Sequence, residues 1–568
     1  MGHSDHRAVV SKFSEDDFPR GPSRWHFNAS YINDNQFLQK MNNEIEEFLA
    51  AQDQNLDNGV RKRNKWELLK SHIKTVCMQY GRYKKMLNSE SGDREKQLDN
   101  IAKQLANHPE DVTVQKHYEE CKKRLEIEQL VKARGAAVRS RAKWIEEGDR
   151  NTKYFLNLEK NRSSSNVIRH IKNERNEIVQ NPGKVLSTIK NFYDKLFSRD
   201  KNLRDTEPKL NTFMQRCQHP TLTQEERDAC DTHITIEEMG AALKQLNNES
   251  SPGCDGITAV FYKTFWRLLK APLFDCFREC LEVGELSIRQ RRGIITLIYK
   301  GKNTSRDELG NWRPITLTHV DYKIYTKMLA LRLQQVIKQI VNENQCGFIK
   351  GRNIANQIRL IDDVIKVADE ANIDGLVVSL DYQKAFDTVN KECIMAALKQ
   401  CNFGPNFIQF IKTMLTNTQS AVTNAGWVSE WFPSQRGIRQ GCCVSPLLFV
   451  LVVELLAIKI REDDEIKGPL ALKLQDNIKF VQYADDMTLL LKDENDLNRA
   501  LDIIDSFSNI SGLRLNKNKS LAMWIGSSKT KDNTHQGISW IKSNQNRKIL
   551  GIYFNAKTEA SKIPENWS

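Results

Sequence analysis

The sequence predicts an α+β fold: an antiparallel sheet backed by helices, preceded by a long, basic, mainly helical segment. Three observations carry this expectation. A short apolar run ending in a carboxylate occurs at residues 376–381, and two apolar runs meet at a pair of carboxylates within 480–491; these read as β-strands. Longer stretches of helical character separate them, as expected for a sheet with helices packed against it. Upstream of residue 250 the spacing is helical, as in Leu98, Ile101 and Leu105.

Taken in order, residues 1–30 form a leading segment and linker with Pro19, Gly21 and Pro22. Residues 31–250 read as mainly helical, with interruptions near His108-Pro109, Ser163 to Ser165 and Asn181-Pro182-Gly183. The 568-residue chain is long enough for more than one domain, and its net charge of +13 suits a polyanionic partner. Residues 61–150 hold 22 Lys/Arg against 14 Asp/Glu, eight of those thirteen charges. Arg134, Arg139, Arg141 and Lys143 cluster near the end of that stretch. Phosphate contacts to RNA explain such a segment, and a solvated helical face is the alternative that needs no ligand.

The 12 cysteines are scattered without a Cys-x-x-Cys pair, which argues against a zinc finger in this chain. No signal peptide is evident, so they read as reduced thiols of an intracellular protein. The longest apolar run, Leu447 to Ile460, is short for a bilayer and carries Glu454, so no membrane partner is expected. Arg61-Lys62-Arg63 reads as a fragment of a nuclear localisation signal.

The chemistry concentrates at Tyr483-Ala484-Asp485-Asp486, where two apolar runs meet. The flanks read as strands and the Asp pair as their tight turn. Adjacent carboxylates repel unless a cation neutralises them, and a hard ion such as Mg²⁺ takes oxygen ligands. Two such ions stabilise the attacking and leaving oxygens of a phosphoryl transfer. About a hundred residues earlier, a second apolar strand ends at Asp381 in Asp381-Tyr382-Gln383-Lys384-Ala385-Phe386-Asp387. If that strand lies beside the hairpin, Asp381 and Asp485 can share the ions. Phe386 is then close enough for its ring to border a nucleotide sugar. Singly, Asp381 could cap a helix and Phe386 could be core. Between the two sites, Gly437 and Gly441 permit close backbone approach to a ligand, and the Gln440 amide could bond a base or sugar. Ser445-Pro446 then opens an apolar helix.

At these residues the sequence resembles the reverse transcriptases of non-LTR (LINE-type) retrotransposons. The catalytic strand matches at Asp381 to Asp387, the Gln-Gly loop at Gln440 to Pro446 and the hairpin at Tyr483 to Asp486. Further similarities run in order through Ser251 to Ile257, Ile294 to Lys300 with Asn311 to Ile315, Gln345 to Arg352, Gly512 to Ser520 and Lys548 to Ile552. Trp144 to Phe155 is similar to sequence that precedes the polymerase in this family. Gly2 to Val10 resembles the last motif of an apurinic-type endonuclease, so Asp5 and His6 read as a remnant rather than a site.

The resemblance implies right-hand polymerase fingers and palm over residues 251–568 (core about 280–555), with an antiparallel palm sheet. It makes residues 31–250 an RNA-binding extension, and leads us to expect truncation at both ends, with most of the endonuclease and the thumb missing. The implied activity is RNA-directed DNA polymerisation on an RNA template. A DNA primer or nicked target DNA and deoxynucleoside triphosphates are the other partners. Two Mg²⁺ ions, with Mn²⁺ as a substitute, would be held by Asp381 and Asp485, assisted by Asp486 and the Tyr382 carbonyl. Lys300 and Arg313 would hold phosphates, and Gln440 with Gly441 would contact nucleotide or template. Phe386 would exclude a ribose 2′-hydroxyl, and Lys519, or alternatively Lys517, would protonate pyrophosphate. The expected location is the nucleus and a cytoplasmic ribonucleoprotein. The competing expectation is a catalytically impaired fragment that binds RNA.

Overall fold

A computed structural model describes residues 18–54, 61–140, 166–201, 203–301, 304–469, 477–528, 538–542, 545–555 and 560. The readings placed on Asp5, His6, Arg141, Lys143 and Trp144 to Phe155 lie outside these residues. The chain is α+β, with two five-stranded sheets and two small hairpins among the described residues.

The central sheet has the order β12-β11-β5-β10-β9. Its strands are β5 (Gly375–Leu380), β9 (Phe480–Tyr483), β10 (Asp486–Leu491), β11 (Leu521–Ile525) and β12 (Ser539–Ile541). Four strands are mutually antiparallel, as the sequence suggests, but β12 joins the edge parallel to β11, so the sheet is mixed. Pleating sends Leu376, Val378 and Leu380 of β5 into the main core, and Val377 to the opposite face against Ile361 and Val364. Both faces are therefore covered, which is why these strands are nearly continuous apolar runs. Helix Ser445–Glu462 is buried on almost every side. Pro446 sits in its first turn, where a missing N–H costs nothing.

The second sheet is built from β3 (Arg292–Tyr299), β4 (Trp312–Leu317), β6 (Gln419–Asn424), β7 (Trp427–Val428) and β8 (Phe432–Pro433). Its order is β4-β3-β6-β7, with β8 also on β6. A hairpin of β1 (Ile171–Lys172) and β2 (Ile178–Val179) interrupts the helical region upstream. Ile171 and helix Pro182–Phe197 pack with Ile295, Leu297 and Trp312 of the second sheet. A last hairpin pairs β13 (Arg547–Ile549) with β14 (Ile552–Phe554).

The basic segment is not a loose appendage. Helix Lys62–Asn107 follows Asn35–Gln54, and Phe37 and Trp66 are buried in the same core as helices Trp266–Val283 and Val320–Ile340. The joint is partly ionic. Buried Asp321 accepts hydrogen bonds from Trp66 Nε1 and Lys70 Nζ, both at 2.8 Å, and from Gln290 Nε2 at 3.2 Å. Lys70 also lies 3.3 Å from Glu67, and it holds the Asp321 carboxyl below its ordinary range against the effect of burial. No helix among the described residues is long and apolar enough to cross a membrane.

Removing one partner of a buried ion pair leaves the other uncompensated. Lys70→Met is expected to destabilise the protein by about 3–5 kcal/mol, read as a lower urea midpoint. A midpoint equal to that of the wild type would contradict the role given to this pair.

Candidate active site

Strand pairing builds the site. Leu380 pairs with Met487, so Asp381 leaves β5 where β10 begins with Asp486. Tyr483 pairs with Asp486, leaving a two-residue turn of Ala484 and Asp485. The sequence suggested that both aspartates form the turn; instead Asp485 occupies it and Asp486 is already in the strand. Ala484 has φ 55°, a left-handed conformation that favours glycine. Its backbone is gripped from both sides. The Gln345 side-chain oxygen accepts from Ala484 N at 2.8 Å. The Gln345 and Gln482 amides donate to the Ala484 carbonyl at 3.3 and 3.1 Å. Four main-chain and side-chain bonds thus hold a turn that its own residue disfavours, since Cys346 N also donates to the Gln482 carbonyl at 3.0 Å.

The carboxylates feel one another. Burial, then the charge of Asp381, raises the Asp485 carboxyl above its ordinary range, opposed by Arg313. Although its side chain is exposed, Asp486 is pushed up to about 6 by desolvation against the turn and by Asp485 and Asp381. Asp381 is braced separately: Asn516 Nδ2 donates to its Oδ2 at 3.0 Å, and Asn516 N to its carbonyl at 2.7 Å. Its own N–H donates to Ser520 Oγ at 3.2 Å.

Cations face this group from three segments. Lys300 follows β3, Arg313 lies on β4 and Lys519 lies in the loop before β11. Partial burial and the charges of Lys519 and Arg313 hold the Lys300 ammonium below its usual range, while Asp387 and Asp381 pull it back. Lys300 Nζ donates to the Gly310 carbonyl at 2.9 Å. Lys384 joins the cluster; burial and the charges of Lys300 and Lys519 lower it, and its ammonium lies 5.0 Å from the centre of the Phe192 ring.

Asp387 is the site residue that the sequence reading left without a role. It is buried, and desolvation pushes its carboxyl up to about 6 against the pull of Lys384, Gln440 and Lys300. Gln440 Nε2 donates to its Oδ1 at 3.2 Å, so the amide expected to meet nucleotide or template is engaged with protein. The glycines differ from expectation too. A Cβ on Gly437 would lie 2.4 Å from the Asp387 carbonyl oxygen, and one on Gly441 2.8 Å from that of Thr316. The close approach they permit is to the protein's own backbone rather than to a ligand. The Tyr382 ring is buried and its hydroxyl has no hydrogen-bond partner; burial raises the phenol, and the nearby Asp485 charge adds to the rise.

Phe386 is half-buried and stacks on Phe449, with ring centres 4.6 Å apart and planes 17° from parallel. Its other neighbour is the exposed Phe348, edge-on at 6.1 Å, which also lies 6.5 Å from Tyr483. Gln345 and Phe348 sit inside the segment quoted for its resemblance, and Asn516 and Ser520 inside another. Their presence was visible in the sequence, but their partners were not.

No three His, Cys, Asp or Glu side chains among the described residues form a ready-made metal cage. The donors present still suit a hard cation that keeps some of its ligands from water and substrate. Mg²⁺ is typically bound by one or two carboxylates together with phosphates rather than by an all-protein cage.

Residues 300–554 match the reverse transcriptase (RNA-dependent DNA polymerase) family. Asp381, Asp485 and Asp486 all fall within the matched stretch. The chain is also similar to proteins of transposable elements. The chain is 29% identical over 98% of its length to the uncharacterized 149 kDa protein of transposon TX1 from Xenopus laevis. It is 26% identical over 57% of its length to the Pol polyprotein of type-2 retrotransposable element R2DM from Drosophila melanogaster. A Pol polyprotein of type-1 retrotransposable element R2 from Popillia japonica is 27% identical over 52% of the chain. The chain spans 41%, 30% and 40% of the lengths of these relatives.

The sign of the carboxylate effect can be tested. A folded-state value raised to about 6 means that the native protein binds the Asp387 proton more tightly than the unfolded chain does. Its contribution to stability is full below the unfolded value and is lost as pH rises through 6. Asp387→Asn should remove that loss, gaining about 2–3 kcal/mol at pH 7 but nothing at pH 3.5, before any cost of the altered Gln440 contact. Urea melts at the two pH values measure it, and an equal change at both would contradict the assignment.

Proposed function

We propose that this chain is an RNA-directed DNA polymerase of a non-LTR retrotransposon, extending a DNA 3′ end on an RNA template by two-metal nucleotidyl transfer. The observation that carries this reading is the convergence of Asp381 and Asp485 at the β5–β10 junction, faced by Lys300, Arg313 and Lys519. Negative and positive groups opposed in this way match what a metal-bound triphosphate requires.

In this reading the central sheet is the palm and the sheet of β3 and β4 belongs to the fingers. Asp381 and Asp485 would hold Mg²⁺, or Mn²⁺ as a substitute, with Asp486 assisting and the Tyr382 carbonyl on the nucleotide side. Bound there, the ions lower the pKa of a primer hydroxyl and neutralise triphosphate charge. The chain's own groups do the rest. Arg313 and Lys300 bind and orient the phosphates. Phe386, backed rigidly by Phe449, closes the space that a ribose 2′-hydroxyl would need. Lys519 carries a proton toward departing pyrophosphate. Gln440, held by Asp387, shapes the wall of the nucleotide site and reaches nucleotide or template only on release. The basic helices of residues 31–250 bind template RNA, and the protein works in the nucleus and in a cytoplasmic ribonucleoprotein.

Purified protein, a DNA primer annealed to RNA, deoxynucleotides and Mg²⁺ supply the test. Wild type should extend the primer and Asp485→Ala should not, a loss of at least about 10³-fold, with RNA binding retained. Equal extension by the variant would overturn the metal assignment. RNA binding by a folded wild type without extension would favour the impaired RNA-binding fragment. Phe386→Ala should raise ribonucleotide relative to deoxynucleotide incorporation by about tenfold or more, the size of a lost steric contact. An unchanged ratio would remove Phe386 from sugar selection.

A further inference from the structure

Away from the carboxylates, the loop 251–257 holds a thiol against an imidazole. Cys254 Sγ lies 3.0 Å from His319 Nε2. His319 precedes helix Val320–Ile340 and is wholly buried, whereas Cys254 is only half-buried and so open to a small reagent. The Asp255 carboxylate is 3.9 Å from the same Nε2 and is fixed by accepting from Ile257 N at 3.2 Å. Two buried polar atoms here lack hydrogen-bond partners, Asp255 Oδ2 and His319 Nδ1.

We propose that Cys254 is a covalent modification site, its sulfur held ready by His319 to react with hydroperoxides. The thiolate attacks one peroxide oxygen. An S–O bond forms as the O–O bond breaks, and the departing hydroxide takes the His319 Nε2 proton and leaves as water. Sulfur is oxidised by two electrons to a sulfenic acid, and the peroxide is reduced.

Burial alone would raise a thiol and lower an imidazole. Both groups move the other way. His319 is raised to about 9 despite its burial, by Asp255 and Cys254, and Cys254 is lowered despite its burial, chiefly by His319. The surrounding charges are mixed. Arg24 comes from the N-terminal segment, Glu67 and Lys70 from helix Lys62–Asn107, Asp255 from the loop, Asp321 and Lys323 from helix Val320–Ile340, and Cys443 from the loop after Gly441. Lys70 favours the thiolate and Asp255 opposes it, and pairing with the imidazolium prevails. Burial pushes Cys77, Cys393 and Cys401 up to about 12, and Cys230 and Cys443 to about 11, so those thiols are far from ionised at neutral pH. The chemistry needs no polymerase activity and stands apart from it.

The test treats the full chain with hydrogen peroxide, traps sulfenic acid with dimedone and reads each cysteine by peptide mass spectrometry. A free cysteine peptide in the same tube serves as reference. Cys254 should react at least about tenfold faster than the peptide at pH 6.5, with a rate that climbs less steeply with pH than the peptide's. His319→Gln should abolish that advantage and restore the peptide's steeper pH dependence. If Cys254 reacts no faster than the peptide, or its rate climbs about tenfold per pH unit as an un-ionised thiol's does, the proposal is overturned. Should the variant fail to fold, the wild-type pH profile decides the matter alone.

Discussion

The pairing of β5 with β10 is the contact on which the rest of the site depends. It sets Leu380 against Met487 and so delivers Asp381 to the mouth of a turn that already carries Asp485. Neither strand could slip by one residue without exchanging its two faces, and both faces are buried here. Packing therefore fixes the register, and the register fixes where the carboxylates meet. The cost is burial and mutual repulsion of the carboxylates, both visible in the raised Asp485 and Asp486. A second cost is the left-handed Ala484, met by the bracket of Gln345 and Gln482.

The cations answer from other parts of the chain. Arg313 arrives on β4 and Lys300 just past its partner β3, and Lys519 on the loop that also supplies Asn516 to Asp381. Partial burial and their mutual repulsion lower Lys300, just as burial and repulsion raise Asp485 and Asp486. Like charges gathered on both sides are what a site for a ligand carrying both signs would need before that ligand arrives. A metal-bound triphosphate has that character. The buried Asp387–Gln440 contact adds a rigid wall at the junction with β4, where Thr316 N donates to the Gln440 carbonyl at 2.8 Å.

Much of this was legible from the sequence because the signals are local. The strands at 375–380, 480–483 and 486–491 declared themselves as apolar runs, and Ser445-Pro446 marked the start of the buried helix. What was hidden depends on contacts between distant segments. Nothing local reveals that Gly441 must clear Thr316, or that Gln440 turns toward Asp387. The parallel edge strand β12 and the hairpin at residues 171–179 are too short for periodicity to register. The basic charge count suggested a separate helical extension. The buried Trp66 and Lys70, which tie that segment to Asp321, look in sequence like any residues on an amphipathic helix.

The most direct test replaces Mg²⁺ with Fe²⁺ in the presence of primer, template and deoxynucleotide, then adds ascorbate in air and maps the cuts in the polypeptide. Radicals formed at the bound iron should cleave the backbone beside residues 381 and 484–486, and excess Mg²⁺ should suppress both cuts together. Cleavage confined to other segments, or cuts at these positions that Mg²⁺ leaves untouched, would contradict a shared metal site built by the β5–β10 pairing.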